Sequence, residues 1–326
     1  KPCSSCKPIL NTSTRNLYDT PVSKPDPELL TFRTLYDSPM IAVRDYICRH
    51  TDRCQSAEEE SDVTSITLMR SGAFTKHLRG KKVMADVNQA IFFSKESVYR
   101  VSHPTACGDR GTSFVVSPRI LTDIIREIDP AIDEHPDQPF PFITGPCGSP
   151  VFWRHREFVQ RLETNEIEPL EPLWADVTGL QLVADVIEAA FLRNSSLPKR
   201  RSSTTADHAE RTEAAKRYLA SRMTEAVTLE DVAAAVNASP FNFARIFQQQ
   251  TGLPIHRYLT VLRLRAALER IADPHIDITE IALDLGFSSH SHFTDVFRRE
   301  FGKTPSFIRQ KQTKNAIREM SKNLIA

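Results

Sequence analysis

A chain of 326 residues, 40% hydrophobic and 25% charged, has room for two or three domains and lies outside the disordered, collagen-like and low-complexity classes. No apolar run approaches the roughly 18 residues that a membrane span needs, and no signal-peptide pattern opens the chain, so a cytoplasmic protein is expected. The net charge of +1 is unevenly spread, because residues 208–326 hold 17 Lys and Arg against 13 Asp and Glu, a modestly basic balance that suits phosphate contact.

Residues 1–28 carry Pro21, Pro25 and Pro27 among polar residues and read as a disordered tail. Within it, Cys3-x-x-Cys6 has metal or redox spacing but no second Cys or His pair to complete a site. From Leu35 to Val116 the pattern is one of short β-like runs: Ile41 to Ile47, Ser65 to Met69, Ala73 to His77, Ala90 to Phe93, Val98 to Val101 and Thr112 to Val116. Turn signals stand at Ser71-Gly72, Arg79-Gly80 and Cys107-Gly108. Many close strands without intervening helices predict a sandwich or closed barrel. Cys48 and Cys54 flank a basic segment that could activate a thiol, though a reduced cysteine at a strand end is the simpler reading.

Arg119 to Ile128 reads as a helix, followed by a Pro-rich acidic loop to Pro150 and a short helix from His155 to Leu162. Leu173 to Arg193 is a longer helix. Its residues Leu173, Val177, Leu180, Ala184, Ile187 and Phe191 recur at 4-3-4-3-4 spacing and form an apolar seam, suited either to covering the strands or to dimerisation. Asn194 to Asp207, with Lys199-Arg200-Arg201, reads as a flexible basic linker. The expected domains are therefore 29–193 and 208–326, separated by 194–207.

The second domain opens with a helix from Ala209 to Met223, closes with one from Pro305 to Met320, and between them writes one folding unit twice. Thr228-Leu-Glu-Asp-Val-Ala leads through Asn237-Ala-Ser239-Pro240 to Phe243, Phe247 and Gly252; Asp277-Ile-Thr-Glu-Ile-Ala leads through Gly286-Phe-Ser-Ser289 to Phe293, Phe297 and Gly302. Thr228 and Asp277 stand where a helix N-cap is needed, with Asp231 and Glu280 three residues on. Asn237 and Gly286 suit a left-handed helix end, and the serines after them suit the next N-cap. Each copy is thus helix, tight turn, helix. In each second helix two phenylalanines four apart mark the core face, leaving Pro240, Phe241, Asn242, Ala244, Arg245 and Gln248 outward in one copy and Ser289, His290, Ser291, Thr294, Asp295 and Arg298 in the other. A helix from Pro254 to Ile271 joins the units, and its length of roughly 27 Å suits two readers about one DNA turn apart.

Ala233, Ser239, Phe243, Phe247, Gly252, Tyr258, Arg263-Leu264, Ala267, Ile281-Ala282, Gly286-Phe287-Ser288, Phe293, Phe297, Gly302, Thr304-Pro305 and Arg309 together resemble the DNA-binding domain of the AraC-type (AraC/XylS) regulators, over about residues 208–312. Ile255 departs from the family's usual Pro, and Asp295 occupies a base-facing position more often Arg or Gln. The resemblance implies an α+β chain: a cupin-like sensory and dimerisation barrel followed by an all-α double helix-turn-helix. It also implies a dimeric transcriptional activator that binds double-stranded DNA, with RNA polymerase as a partner and a small-molecule effector possible. No catalytic residue, metal ligand or cofactor is assigned. A cupin-type metalloenzyme with an attached helical domain is the rival class, but His77 and His103 lack the His-x-His pattern of catalytic cupins and read better as solvated or core histidines. No Ser/His/Asp array, Gly-rich phosphate loop or zinc quartet is legible.

Overall fold

A computed structural model describes residues 29–50, 55–105, 108–164, 170–196 and 202–311. The expected tail with Cys3 and Cys6, together with Cys54 and Cys107, lies outside them. The fold is α+β, as the alternation of short β-branched runs followed by helical periods predicts. Among the described residues no helix is long and apolar enough to cross a membrane.

The strands are β1 (Leu30–Asp37), β2 (Ile41–Cys48), β3 (Glu59–Glu60), β4 (Ser65–Leu78), β5 (Lys81–Asp86), β6 (Gln89–Phe93), β7 (Val98–Ser102), β8 (Asp109–Val116) and β9 (Thr144–Pro146). Their main path runs β1-β2-β8-β4-β6-β9 and does not return on itself, so the expected closed barrel is instead an open, cupin-like one. Its organiser is β4, 14 residues long. The first part of β4 pairs with β6 and β8, and the part from Ala73 onward pairs with β5 and β7. The expected turn at Ser71-Gly72 is therefore a bend inside one strand: the register slips between Met69 and Ser71, and Gly72 takes φ +71°. Only glycine adopts that conformation at little cost, and the bend lets one strand serve both faces. Leu30–Asp37, which none of the expected runs covers, adds an edge to β2.

Helices α1 (Pro118–Arg126) and α2 (Ser149–Glu163) follow the strands, and α2 starts six residues earlier than the sequence pattern predicts, at the Pro150 turn. Helix α3 (Pro172–Ser196) lies on the sheet through Ala175, Gly179, Leu182, Val183, Val186, Ile187 and Ala190. The 4-3-4-3-4 seam does not share one environment. Leu173 and Val177 are exposed at 74% and 57%, whereas Ile187 is fully buried inside this chain. A helix turning 3.6 residues at a time carries a 3.5-residue stripe round its axis, which moves the far end of the seam into the core.

The helical half consists of α4 (Ser202–Ser221), α5 (Leu229–Ala235), α6 (Pro240–Thr251), α7 (Ile255–Ile271), α8 (Ile278–Asp284) and α9 (His290–Phe301), and residues 305–311 are helical as well. Helix α4 begins inside the expected linker, so residues 202–207 are helical. One contiguous buried apolar cluster runs from Ile41 in β2 to Ile308. Burial of each large side chain in it, such as Phe243, Phe247, Phe293 or Phe297, favours the fold by about 1.5–3 kcal/mol.

Candidate nucleic-acid interface

Each of the two helix pairs is set by local chemistry. Thr228 Oγ1 accepts from Asp231 N at 3.2 Å and the Asp231 carboxylate accepts from Thr228 N at 2.9 Å, a reciprocal capping box at the start of α5. Asp277 caps α8 by accepting from Thr279 N at 2.6 Å. These bonds hold both carboxyls below the usual aspartate range, Asp231 through Thr228 and Asp277 through Thr279. Asn237 and Gly286 take φ +49° and +77°, so both turns leave their first helix in the left-handed conformation. Ser289 caps α9 by accepting from His292 N, while Ser239 precedes Pro240 with no side-chain cap.

The second helices bury one face and present the other. Phe243 and Phe247 have no exposure and meet edge to face at 6.0 Å; Phe293 and Phe297 repeat the arrangement at 5.4 Å. Opposite them on α6, Phe241, Asn242, Arg245 and Gln248 are exposed, with Pro240 and Ala244 half-buried. On α9, Ser291, Asp295 and Arg298 are exposed, Ser289 is exposed just before the helix, and His290 and Thr294 are half-buried. The structure adds His292 and Arg299 to that exposed surface. Their spacing of three and four residues from Asp295 marks them as its neighbours on a helix, a signal the phenylalanine pattern alone does not weigh.

Helix α7 joins the two units, and its 17 residues make a rod of about 26 Å. Arg263, near its middle, donates to the carbonyls of Met223 (2.6 Å), Glu225 (2.6 Å) and Gly286 (3.0 Å). One side chain thus ties the entry to α5 to the turn before α9. The relative placement of the units is held by directional bonds as well as by packing.

The helical half is also bonded to the strands. Arg265 is 2% exposed; its guanidinium donates to Val87 O, to Cys147 O (2.9 Å) and to Ser149 Oγ (3.0 Å), and stacks over the Phe152 ring at 4.5 Å. The Tyr258 hydroxyl donates to Asp86, whose burial raises its carboxyl pKa against the pull of Lys216. Arg156 pairs with Glu269 of α7 at 2.7 Å. Between these contacts lies a cavity of about 390 Å³, lined by Gln89, Arg193, Thr212, Lys216, Tyr258 and Arg265 among others. It sits at the junction of the halves. His77 is half-buried with Nε2 2.7 Å from Ser102 Oγ, and His103 is buried with Nε2 3.0 Å from Asp109 Oδ2. Burial lowers the His103 pKa, but Asp109 and Cys48 raise it further, to about 9.

Residues 232–311 match a family model described as a helix-turn-helix domain. The match begins in α5 and takes in both turns, both exposed helix faces and the rod between them. Residues 232–311 of this chain are therefore a helix-turn-helix domain. Among proteins similar to it, the regulatory protein PocR of Salmonella typhimurium is 32% identical over 109 residues, covering 33% of this chain and 36% of PocR. The HTH-type transcriptional activator RhaS of Escherichia coli is 32% identical over 162 residues, covering 49% and 55%. The chain thus spans about half the length of these relatives or less. A solved structure of ToxT from Vibrio cholerae covers 87% of this chain and 98% of its own at 12% identity, with a TM-score of 0.32. In the helix-turn-helix domain of this chain, Ile255 is the first residue of α7 after Pro254, and Asp295 stands exposed on α9.

Proposed function

We propose that this chain is a sequence-specific, DNA-binding regulator of transcription, an activator working with RNA polymerase in the cytoplasm, and not an enzyme. The observation that carries the reading is the pair of exposed helix faces, α6 and α9, mounted on one rod of about 26 Å, which can hold them about one DNA turn apart. Residues 208–326 are the DNA-binding unit and residues 29–193 the controlling one. The cavity at their junction is the proposed effector site, because its wall is shared by Gln89 from the strands and Lys216, Tyr258 and Arg265 from the helices. A small molecule there would change the contact between the halves.

The two readers differ in chemistry, and this gives the test. Arg245 offers a bidentate donor pair to guanine, whereas Asp295 can only accept, for instance from cytosine N4, and repels phosphate. Arg245→Ala is expected to weaken binding at the best site by about 1–3 kcal/mol. Asp295→Ala is expected to alter sequence preference while leaving or raising overall affinity. Titration of a selected duplex at several salt concentrations measures both; a larger loss from Asp295→Ala than from Arg245→Ala would reverse the ranking.

Pairing of two copies is proposed through the exposed start of α3, where Leu173, Trp174 and Val177 lie. Ile187 and most of the remaining seam serve this chain's own core. Val177→Glu is therefore expected to give a folded monomer in light scattering, and Ile187→Glu to unfold the strand-bearing half, since a buried unpaired carboxylate costs several kcal/mol. A folded dimeric Val177→Glu chain would place the interface elsewhere.

A further inference from the structure

The corner where β2 ends and β8 begins gathers three side chains that DNA binding does not use. Cys48 closes β2 and stands opposite Asp109, which opens β8; His103 comes just after β7. Cys48 Sγ lies 3.3 Å from His103 Nε2, and Asp109 Oδ2 lies 3.0 Å from the same nitrogen. All three residues are buried, and their donor atoms lie within 4.8 Å of one another.

This is not the geometry of a proton relay. A relay places thiol and carboxylate on opposite ring nitrogens, so that one is deprotonated while the other orients the ring. Here both converge on Nε2, which has one proton to give. Asp109 Oδ2 is buried without a well-formed hydrogen bond, while Oδ1 is held by the Tyr46 hydroxyl at 3.0 Å. A second bond that fixes a ligand and leaves its other oxygen directed at the cluster is how metal ligands are oriented.

The separations fit a small tetrahedral cation. Bond lengths of about 2.0–2.3 Å to sulfur, nitrogen and oxygen put neighbouring ligand atoms about 3.3–3.6 Å apart, a few tenths above the 3.3 Å and 3.0 Å found from Nε2 to Cys48 Sγ and Asp109 Oδ2, with the third pair within 4.8 Å. The backbone is closely packed at this point. A Cβ on Gly108 would fall 2.3 Å from Cys48 O and one on Gly72 would fall 2.2 Å from Gly108 O, so the bend of β4, residue 108 and the end of β2 are pressed together. The His50 ring stacks on that of His103 at 5.4 Å.

We propose that Cys48, His103 and Asp109 form a binding site for a borderline-soft divalent transition metal of the zinc class, with the fourth tetrahedral position left to solvent or an added ligand. Thiolate and imidazole exclude magnesium and calcium, which take oxygen ligands. On binding, the His103 imidazolium gives its Nε2 proton to solvent and keeps the one on Nδ1, the metal takes the freed Nε2 lone pair, and the Cys48 thiol proton also goes to solvent. The ion would clamp the ends of β2, β7 and β8 together, on strands away from the DNA-reading faces.

The test is cobalt(II) titration of the reduced full chain, read by absorption. One equivalent is expected to give a thiolate-to-cobalt charge-transfer band with the strong visible bands of a tetrahedral site, displaced by zinc. Cys48→Ser should abolish the charge-transfer band, and His103→Gln and Asp109→Asn should each weaken cobalt binding more than tenfold. A chain with Cys3, Cys6, Cys54 and Cys107 all changed to Ser should keep the band. The proposal is overturned if the unaltered chain shows no band, if the band survives in Cys48→Ser, or if it vanishes in the four-serine chain. Circular dichroism of each variant checks folding; should Cys48→Ser fail to fold, the four-serine chain and His103→Gln decide the matter.

Discussion

Gly286→Val is expected to remove specific DNA binding by the second unit while the strand-bearing half stays folded. Two effects add. At φ +77° a β-branched residue is strained by about 1–3 kcal/mol. The new Cβ would also fall 2.9 Å from Thr224 O and from Arg263 Nη2, and the first of these is backbone that has little room to retreat. Overpacking of this kind costs about 1–3 kcal/mol more. Arg263 is the side chain that joins the two units, so displacing it changes the placement of α9 relative to α6. Gly302 is the control, since it has a similar φ of +71° but nothing near its Cβ, and Gly302→Ala should cost only about 1 kcal/mol. Affinity at a two-groove site, with thermal unfolding of the same variants, separates the outcomes. Normal binding by folded Gly286→Val would mean that the turn does not position α9.

Arg265→Ala is expected to destabilise the folded chain by about 3–5 kcal/mol, the largest loss for any single side chain of α7. The change strips the buried carbonyls of Val87 and Cys147 of a charged donor, at about 1–3 kcal/mol each, and leaves a void beside Phe152. Because those carbonyls belong to the strand-bearing half and Arg265 to the helical one, the loss should appear as loosened contact between the halves. Denaturant unfolding measures the first effect. Hydrogen exchange of α7 and of the segment from 86 to 89 measures the second. A loss below about 1 kcal/mol would mean that the carbonyls find other donors.

These two residues show what the sequence discloses and what it conceals. Gly286 was legible because its role is local: a helical period that stops, a residue tolerant of positive φ, and a serine ready to cap the next helix. The same holds for the Thr228 box, for Asn237 and for the phenylalanine pairs that fix which faces point outward. Arg265 was not legible. An arginine in an amphipathic helix reads as surface, and the carbonyls of Val87 and Cys147, the Ser149 hydroxyl and the Phe152 ring, brought close by long-range folding, make its burial tolerable. Gly72 misled for a related reason. Ser-Gly between two alternating runs is a turn signal, yet here it bends a single strand that changes partners, and partner choice is not written locally. The α3 seam shows the limit of periodicity: the same spacing carried Leu173 to solvent and Ile187 into the core, because a stripe says which residues align and not what covers them. The cluster of Cys48, His103 and Asp109 spans 62 residues of chain from its first member to its last and has no spacing that a motif could capture.

The central claim is that α6 and α9 enter successive major grooves on one face of a duplex. Methylation interference at guanines and ethylation interference at phosphates, on a duplex selected for tight binding, test it directly. Two clusters of interfering guanines and phosphates about 10–10.5 base pairs apart on one face are expected, and Arg245→Ala should silence only the cluster read by α6. A single cluster in the unaltered chain, or two clusters on opposite faces, would contradict it.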